Sequence, residues 1–185
     1  YRQQFARHAG QILGYATVRL QGDRPVVRTQ ETNLGNLLTD LMRTRLSTDI
    51  ALINAGQIRR SLEPGPVTLG DVLSVLPFDS ALVTLQITGA VLRQALEHSV
   101  SQWPNHSGRF FQMSGLQVTY NAMVPGGSRV RDILIGGVPL DISKTYNCPF
   151  AQQIRKVLKR QHSIRRGIKV VFSPEEANKD SLMLT

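Results

Sequence analysis

Side chains that could carry chemistry by themselves are few in this chain, and their spacing decides against most reactions. His8, His98, His106 and His162 stand at none of the close spacings that build a zinc or dinuclear site, and neither Asp-x-His nor His-Glu-x-x-His occurs. No cofactor or metal site is therefore expected within this chain. His98 follows an apolar helical face and reads as a packing or helix C-terminal histidine. Cys148, the only cysteine, lies beside Pro149 with no second thiol to pair, and reads as structural. Gly14, Gly22 and Gly35 are too scattered to form a phosphate loop of the Walker or Rossmann type.

Two segments do read as binding elements. The run Ile53-Asn54-Ala55-Gly56-Gln57-Ile58-Arg59-Arg60 leaves a short apolar strand as a polar loop. Loops at strand ends are common ligand sites, and an arginine there offers a planar fork to anions or to ribose and base acceptors. Val75-Leu76-Pro77-Phe78 ends a helix and puts an aromatic ring in a loop, where it either stacks on a planar base or covers core.

The elements that must position these segments follow from periodicity and punctuation. Ile12 to Leu20 alternates as a strand closed by Gly22-Asp23. Leu34, Leu37, Leu38, Leu41 and Met42 share one face of a helix over about 32–46. Ile50 to Ile53 is a buried strand, and Thr68-Leu69-Gly70-Asp71 is a capping box opening a short helix that stops at Pro77. Ala81 to Ile87 alternates as a strand, and Thr88-Gly89 caps a helix with the face Val91, Leu92, Ala95, Leu96 and Val100. Strands follow over Phe110–Tyr120, Val130–Ile135 and Val138–Tyr146, separated by glycine-rich turns. Helices interleave with strands early and strands cluster late, which predicts an α+β or mixed α/β architecture.

With 185 residues the chain can bury a core without disulfides, and no apolar run reaches the length of a membrane span. The net charge is +9, from 22 Lys and Arg against 13 Asp and Glu, which suggests an anionic partner. Residues 151–185 hold eight basic residues against three acidic ones. Within that tail, Ile154, Val157 and Leu158 predict a cationic amphipathic helix, Ile168–Phe172 a strand, and Ser173-Pro174-Glu175-Glu176 a helix start. The tail could bind polyanions, which supports an alternative reading of the chain as a basic nucleic-acid or anionic-surface module, or as a non-catalytic interaction domain or relic. Residues 1–9 read as the end of a helix stopped at Gly10, without a leader pattern, as though cut from a longer precursor.

Five linked segments carry a resemblance. Glu31–Leu37, Asn54–Arg59, Gly65–Phe78, Leu85–Gly89 with Leu96–Val100, and Gly108–Gly115 resemble, in order and spacing, the C-terminal domain of the 5′-nucleotidase family over residues 10–147. The resemblance implies an α+β fold of layered mixed sheets with flanking helices over 10–150, a linker-helix end at 1–9 and a divergent basic tail at 151–185. It also implies that this part recognises a nucleoside or nucleotide. A separate N-terminal metallophosphoesterase domain would hold two divalent metal ions and the catalytic histidine. Asn54 and Arg59 match substrate-binding residues of the family, and Phe78 matches one of two rings that sandwich the base. Such residues supply positioning and remote binding energy to a reaction performed elsewhere. The location implied is extracellular or periplasmic.

Three departures accompany the resemblance. The position directly before Glu31, where the family usually carries a substrate-contacting arginine, holds Gln30, which becomes the candidate contact there, with Arg28 two residues earlier. The loop read as Asn-Gly-Gly-Gly-Ile-Arg in the family has Ala55 and Gln57 in place of two glycines. After Tyr146 the chain runs Asn147-Cys148-Pro149-Phe150-Ala151 without a Gly-Gly-Asp-Gly loop, and Phe150 is the candidate for the second ring.

Overall fold

A computed structural model describes residues 9–78, 80, 82–151 and 169–171. Residues 1–8 of the predicted helix end and the tail helices lie outside the described residues.

Local sequence rules account for most elements. Helix α1 (Arg24–Val27) is a single turn with Pro25 in its first positions. Helix α2 (Asn33–Arg45) begins where the Thr32 hydroxyl accepts from the Gly35 amide, and buries Leu34, Gly35, Thr39 and Met42. Strand β2 (Ala51–Asn54) is almost wholly buried and leads into a 3-10 turn over Ala55–Gln57. Strand β1 (Ile12–Ala16) pairs antiparallel with β3 (Gly65–Thr68). Helix α3 (Leu69–Val75) carries the full capping box, with the Thr68 side chain accepting from Asp71 N and the Asp71 carboxylate from Thr68 N.

Strand β4 (Leu82–Thr88) runs into α4 (Gly89–Val100), whose inner face is the predicted one, with Leu92, Ala95, Leu96 and Val100 buried. Strands β5 (Phe111–Ser114), β6 (Leu116–Tyr120), β7 (Val130–Ile135), β8 (Val138–Pro139), β9 (Thr145–Ala151) and β10 (Lys169–Val171) complete the described elements. The pairings are β2 with β5, β6-β7-β8, and β10-β4-β9, and every ladder among the described residues is antiparallel.

The α+β class predicted from the pattern is the class observed, with helices against several small sheets. The boundaries differ where local geometry intervenes. The run Phe110–Tyr120 is split because Gly115 adopts φ +80°, a left-handed backbone that ends one strand and re-aims the next. The run Val138–Tyr146 is likewise two strands, divided by a turn in which Ser143 donates its amide and hydroxyl to Asp141. Strand β1 stops at Ala16, and Leu20 makes only a bridge to Leu62.

Small sheets survive here because they share one core. Leu34, Ile50, Leu52, Ile58, Ile87, Leu92 and Leu96 are buried together. The β2 end of one sheet meets β9 of another through Ile50 N donating to Asn147 O (3.4 Å) and Asn147 N donating to Asp49 Oδ2 (2.8 Å). Glu97 on α4 accepts from the Arg129 and Val130 amides at 2.9 and 2.8 Å. Arg129 in turn donates to the Val100 and Trp103 carbonyls at 2.6 and 2.8 Å, satisfying the end of α4.

Candidate functional site

The polar loop after β2 is fastened on both sides. Ala55 N donates to Phe110 O (2.7 Å) and Gly56 N to Gly108 O (3.0 Å), extending the β2–β5 ladder past its last pair, Asn54 with Phe111. Asn54 Nδ2 also donates to Gly108 O (3.1 Å). At the far end Arg59 N donates to Val75 O (2.9 Å), tying the loop to the end of α3. The glycine replacements cost nothing in backbone strain. Ala55 and Gln57 sit in the 3-10 turn, and Ser47 is the only described non-glycine residue with positive φ.

This fastening brings three predicted residues together. The Arg59 guanidinium lies 5.5 Å from the centroid of the Phe78 ring, within cation–π range, and donates to Gly56 O at 3.4 Å. Phe78 is 39% exposed, enough to offer ring surface to a ligand. Asn54 spends its amide nitrogen on Gly108 while its Oδ1 is buried without a hydrogen-bond partner. An unpartnered buried acceptor suits the hydroxyl or amine of a ligand.

Arg28, not predicted as a contact, joins the same place. Its Nη1 donates to His106 O (3.3 Å), in the loop whose Gly108 packs on Gly56. Its Nε is buried and unpartnered. Partial burial first, and then the Arg24 and Arg59 charges, lower its pKa. Arg24, Arg28 and Arg59 therefore gather with no carboxylate in ion-pair contact among the described residues, where the ion pairs are those of Arg19 with Asp23 and Glu63. Like charges four residues apart are unfavourable. Guanidinium groups gathered without a carboxylate, one of them with an unfilled donor, have the chemistry that binds anions. The Arg24-x-x-x-Arg28 spacing was the available signal, since residues four apart share one side of a helical turn.

Of the other two predicted residues, Gln30 lines a different cavity and Phe150 is described only in its backbone. Gln30 is exposed and held through its carbonyl, which accepts from Gln112 Nε2 (2.7 Å). It lies with Glu31 on a cavity of about 450 Å3 lined by Phe110, Met113, Val118 and Tyr120. Phe150 stands in β9 opposite Val83, and its ring falls outside the described residues.

The arrangement brings together guanidinium groups, an unpartnered acceptor and an exposed ring, and comparison with known proteins gives the chain a family. The 5′-nucleotidase C-terminal domain family model matches residues 12–166. The chain is a 5′-nucleotidase C-terminal domain. It is 39% identical over 127 residues to the trifunctional nucleotide phosphoesterase protein YfkN of Bacillus subtilis, covering 66% of this chain and 9% of that protein. To the snake venom 5′-nucleotidase of Macrovipera lebetinus it is 33% identical over 165 residues, covering 77% of this chain and 40% of that one. The crystal structure of the 5′-nucleotidase precursor from Thermus thermophilus superposes with a TM-score of 0.84 at 40% identity, over 94% of this chain and 36% of that one.

This 5′-nucleotidase C-terminal domain thus spans well under half the length of these relatives. Its described residues contain no group of three His, Cys, Asp or Glu able to hold a metal ion, so they do not fit the family's metals, and no reaction step is built on them. Cys148 is fully buried, and that burial pushes its thiol well above the ordinary range. It packs as a small hydrophobe and does not act as a nucleophile. No helix among the described residues is long and apolar enough to cross a membrane.

Proposed function

We propose that this domain recognises the nucleotide for a metal-bearing hydrolytic domain of a longer 5′-nucleotidase-like protein. Arg24, Arg28 and Arg59 receive the phosphate, Asn54 Oδ1 accepts from the nucleoside, and Phe78 stacks on the base while Arg59 covers part of its ring. The observation that carries this reading is a pair of unfilled buried groups, Arg28 Nε and Asn54 Oδ1, on side chains that both bond to the 106–108 loop, with the exposed Phe78 ring under Arg59. The two divalent metals belong to the partner domain, and similarity to a venom enzyme supports work outside the cytoplasm.

The domain by itself should bind weakly. Stacking on one ring contributes about 1 to 3 kcal/mol, and a charge-assisted hydrogen bond about 1.5 to 3 kcal/mol. Lost translational and rotational freedom opposes them by several kcal/mol. The balance is a millimolar affinity for AMP, roughly −4 kcal/mol. NMR titration of the chain with AMP should shift resonances of the 54–59 loop, Phe78 and the 106–108 loop, and Phe78→Ala should remove saturable binding. Shifts clustered away from these residues, or binding indifferent to Phe78→Ala, would show that the pocket is not used.

A further inference from the structure

Helix α1 is one turn long and cannot hold its own C-terminal end. Yet three of the four carbonyls from Val27 to Gln30 accept from side chains elsewhere in the chain. Gln112 Nε2 donates to Val27 O (2.9 Å) and to Gln30 O (2.7 Å), and Trp103 Nε1 donates to Thr29 O (3.1 Å). Arg28 stands in the middle of that clamped segment.

Both clamping side chains are themselves fixed. Gln112 is 1% exposed, and its Oε1 accepts from Thr32 N (2.9 Å) and Thr32 Oγ1 (3.3 Å), so every hydrogen-bonding capacity of the amide is used. Gly35 lies so close that any side chain there would overlap Gln112 Oε1. Trp103 meets the Tyr120 ring edge-on at 6.5 Å, and its carbonyl is held by Arg129. The loop that follows Trp103 supplies His106 O to the Arg28 guanidinium and Gly108 to Asn54 and Gly56.

We propose that Trp103 and Gln112 are positioning residues: they fix the carbonyls flanking Arg28, so that its guanidinium is presented to the phosphate of the bound nucleotide. This inference rests on the reading of Arg28 as an anion contact. Without the clamp a one-turn helix would let Arg28 wander, and the restriction of that motion would be charged to each binding event.

The test is a pair of NMR titrations of the full chain, with AMP and with adenosine, on four variants. Arg28→Ala should weaken AMP by about tenfold or more and leave adenosine unchanged. Trp103→Phe keeps a ring near Tyr120 and deletes the donor. It should weaken AMP roughly three- to tenfold, barely affect adenosine, and add nothing further in the Arg28→Ala background. Gln112→Met should act in the same direction, with the amide spectrum reporting whether it folds; if it does not, Trp103→Phe decides alone. A Trp103→Phe protein that melts earlier but keeps the AMP-to-adenosine ratio, or whose loss adds in full to that of Arg28→Ala, overturns the proposal. If the wild type does not prefer AMP, or Arg28→Ala leaves AMP binding intact, the anion reading itself fails and this inference falls with it.

Discussion

Arg24 illustrates how function and stability diverge at a single side chain. It stands four residues before Arg28, is exposed, and adds its charge to that of Arg59 in disfavouring the Arg28 cation. A pair of like charges at that spacing costs about 0.2 to 0.5 kcal/mol. Arg24→Gln should therefore raise stability by about that amount at low salt, with the gain shrinking as ionic strength rises. The same change should weaken AMP binding, because one of three charges facing the phosphate is gone. Urea unfolding at two salt concentrations, alongside the AMP titration, checks both arms. A variant that is neither more stable nor a weaker binder would remove Arg24 from the cluster.

Helix α3 is the element that delivers the ring. Its N-terminus is closed by the Thr68–Asp71 box, and its C-terminus supplies Val75 O to Arg59 N and leads through Pro77 to Phe78. The side-chain bond from Thr68, followed by its backbone bond, holds the Asp71 carboxyl below the ordinary carboxylate range. Because the unfolded chain takes up that proton at higher pH than the folded one, the stabilisation is complete above about pH 4 and is lost as pH falls through the lower folded value. Asp71→Asn should cost about 0.3 to 1.5 kcal/mol at pH 7, and the difference from wild type should narrow at pH 3. Denaturant midpoints at the two pH values decide this, and an unchanged gap would mean that the carboxylate charge plays no part in the cap.

At the level of the whole molecule, the domain has its own core, and no group of His, Cys, Asp or Glu among the described residues could hold a metal ion. The chain with added divalent metal should release no phosphate from AMP, since no cluster of His, Cys, Asp or Glu among the described residues could hold the ion. A phosphate-release assay on repurified protein checks it, and turnover that co-purifies with the chain would place chemistry in residues not considered above. The β2, β4 and β5 strands bury Leu52, Ile53, Leu85, Ile87 and Phe111 in one core with residues of α2 and α4, as a domain with its own core does.

What the sequence determined by itself was local. The Thr32, Thr68 and Thr88 caps, the apolar faces of α2 and α4, and the buried run into Asn54 all follow from patterns within a dozen residues, where hydrogen bonding and periodicity leave few alternatives. Asn54, Arg59 and Phe78 drew attention because they lie at element ends in segments resembling known ones, and the structure puts the Arg59 guanidinium over the Phe78 ring. The rest needed tertiary structure. Gln112 acts on Val27 and Gln30, residues 85 and 82 positions away, and Trp103 acts on Thr29, 74 positions away. No local pattern encodes such pairs. Arg28 looked expendable beside Gln30 because a one-turn helix leaves almost no periodic trace, and only the fold brings it to His106 O and into the field of Arg59. Spacing along the chain specifies which groups share a turn; which groups share a pocket is decided by contacts that close across the fold.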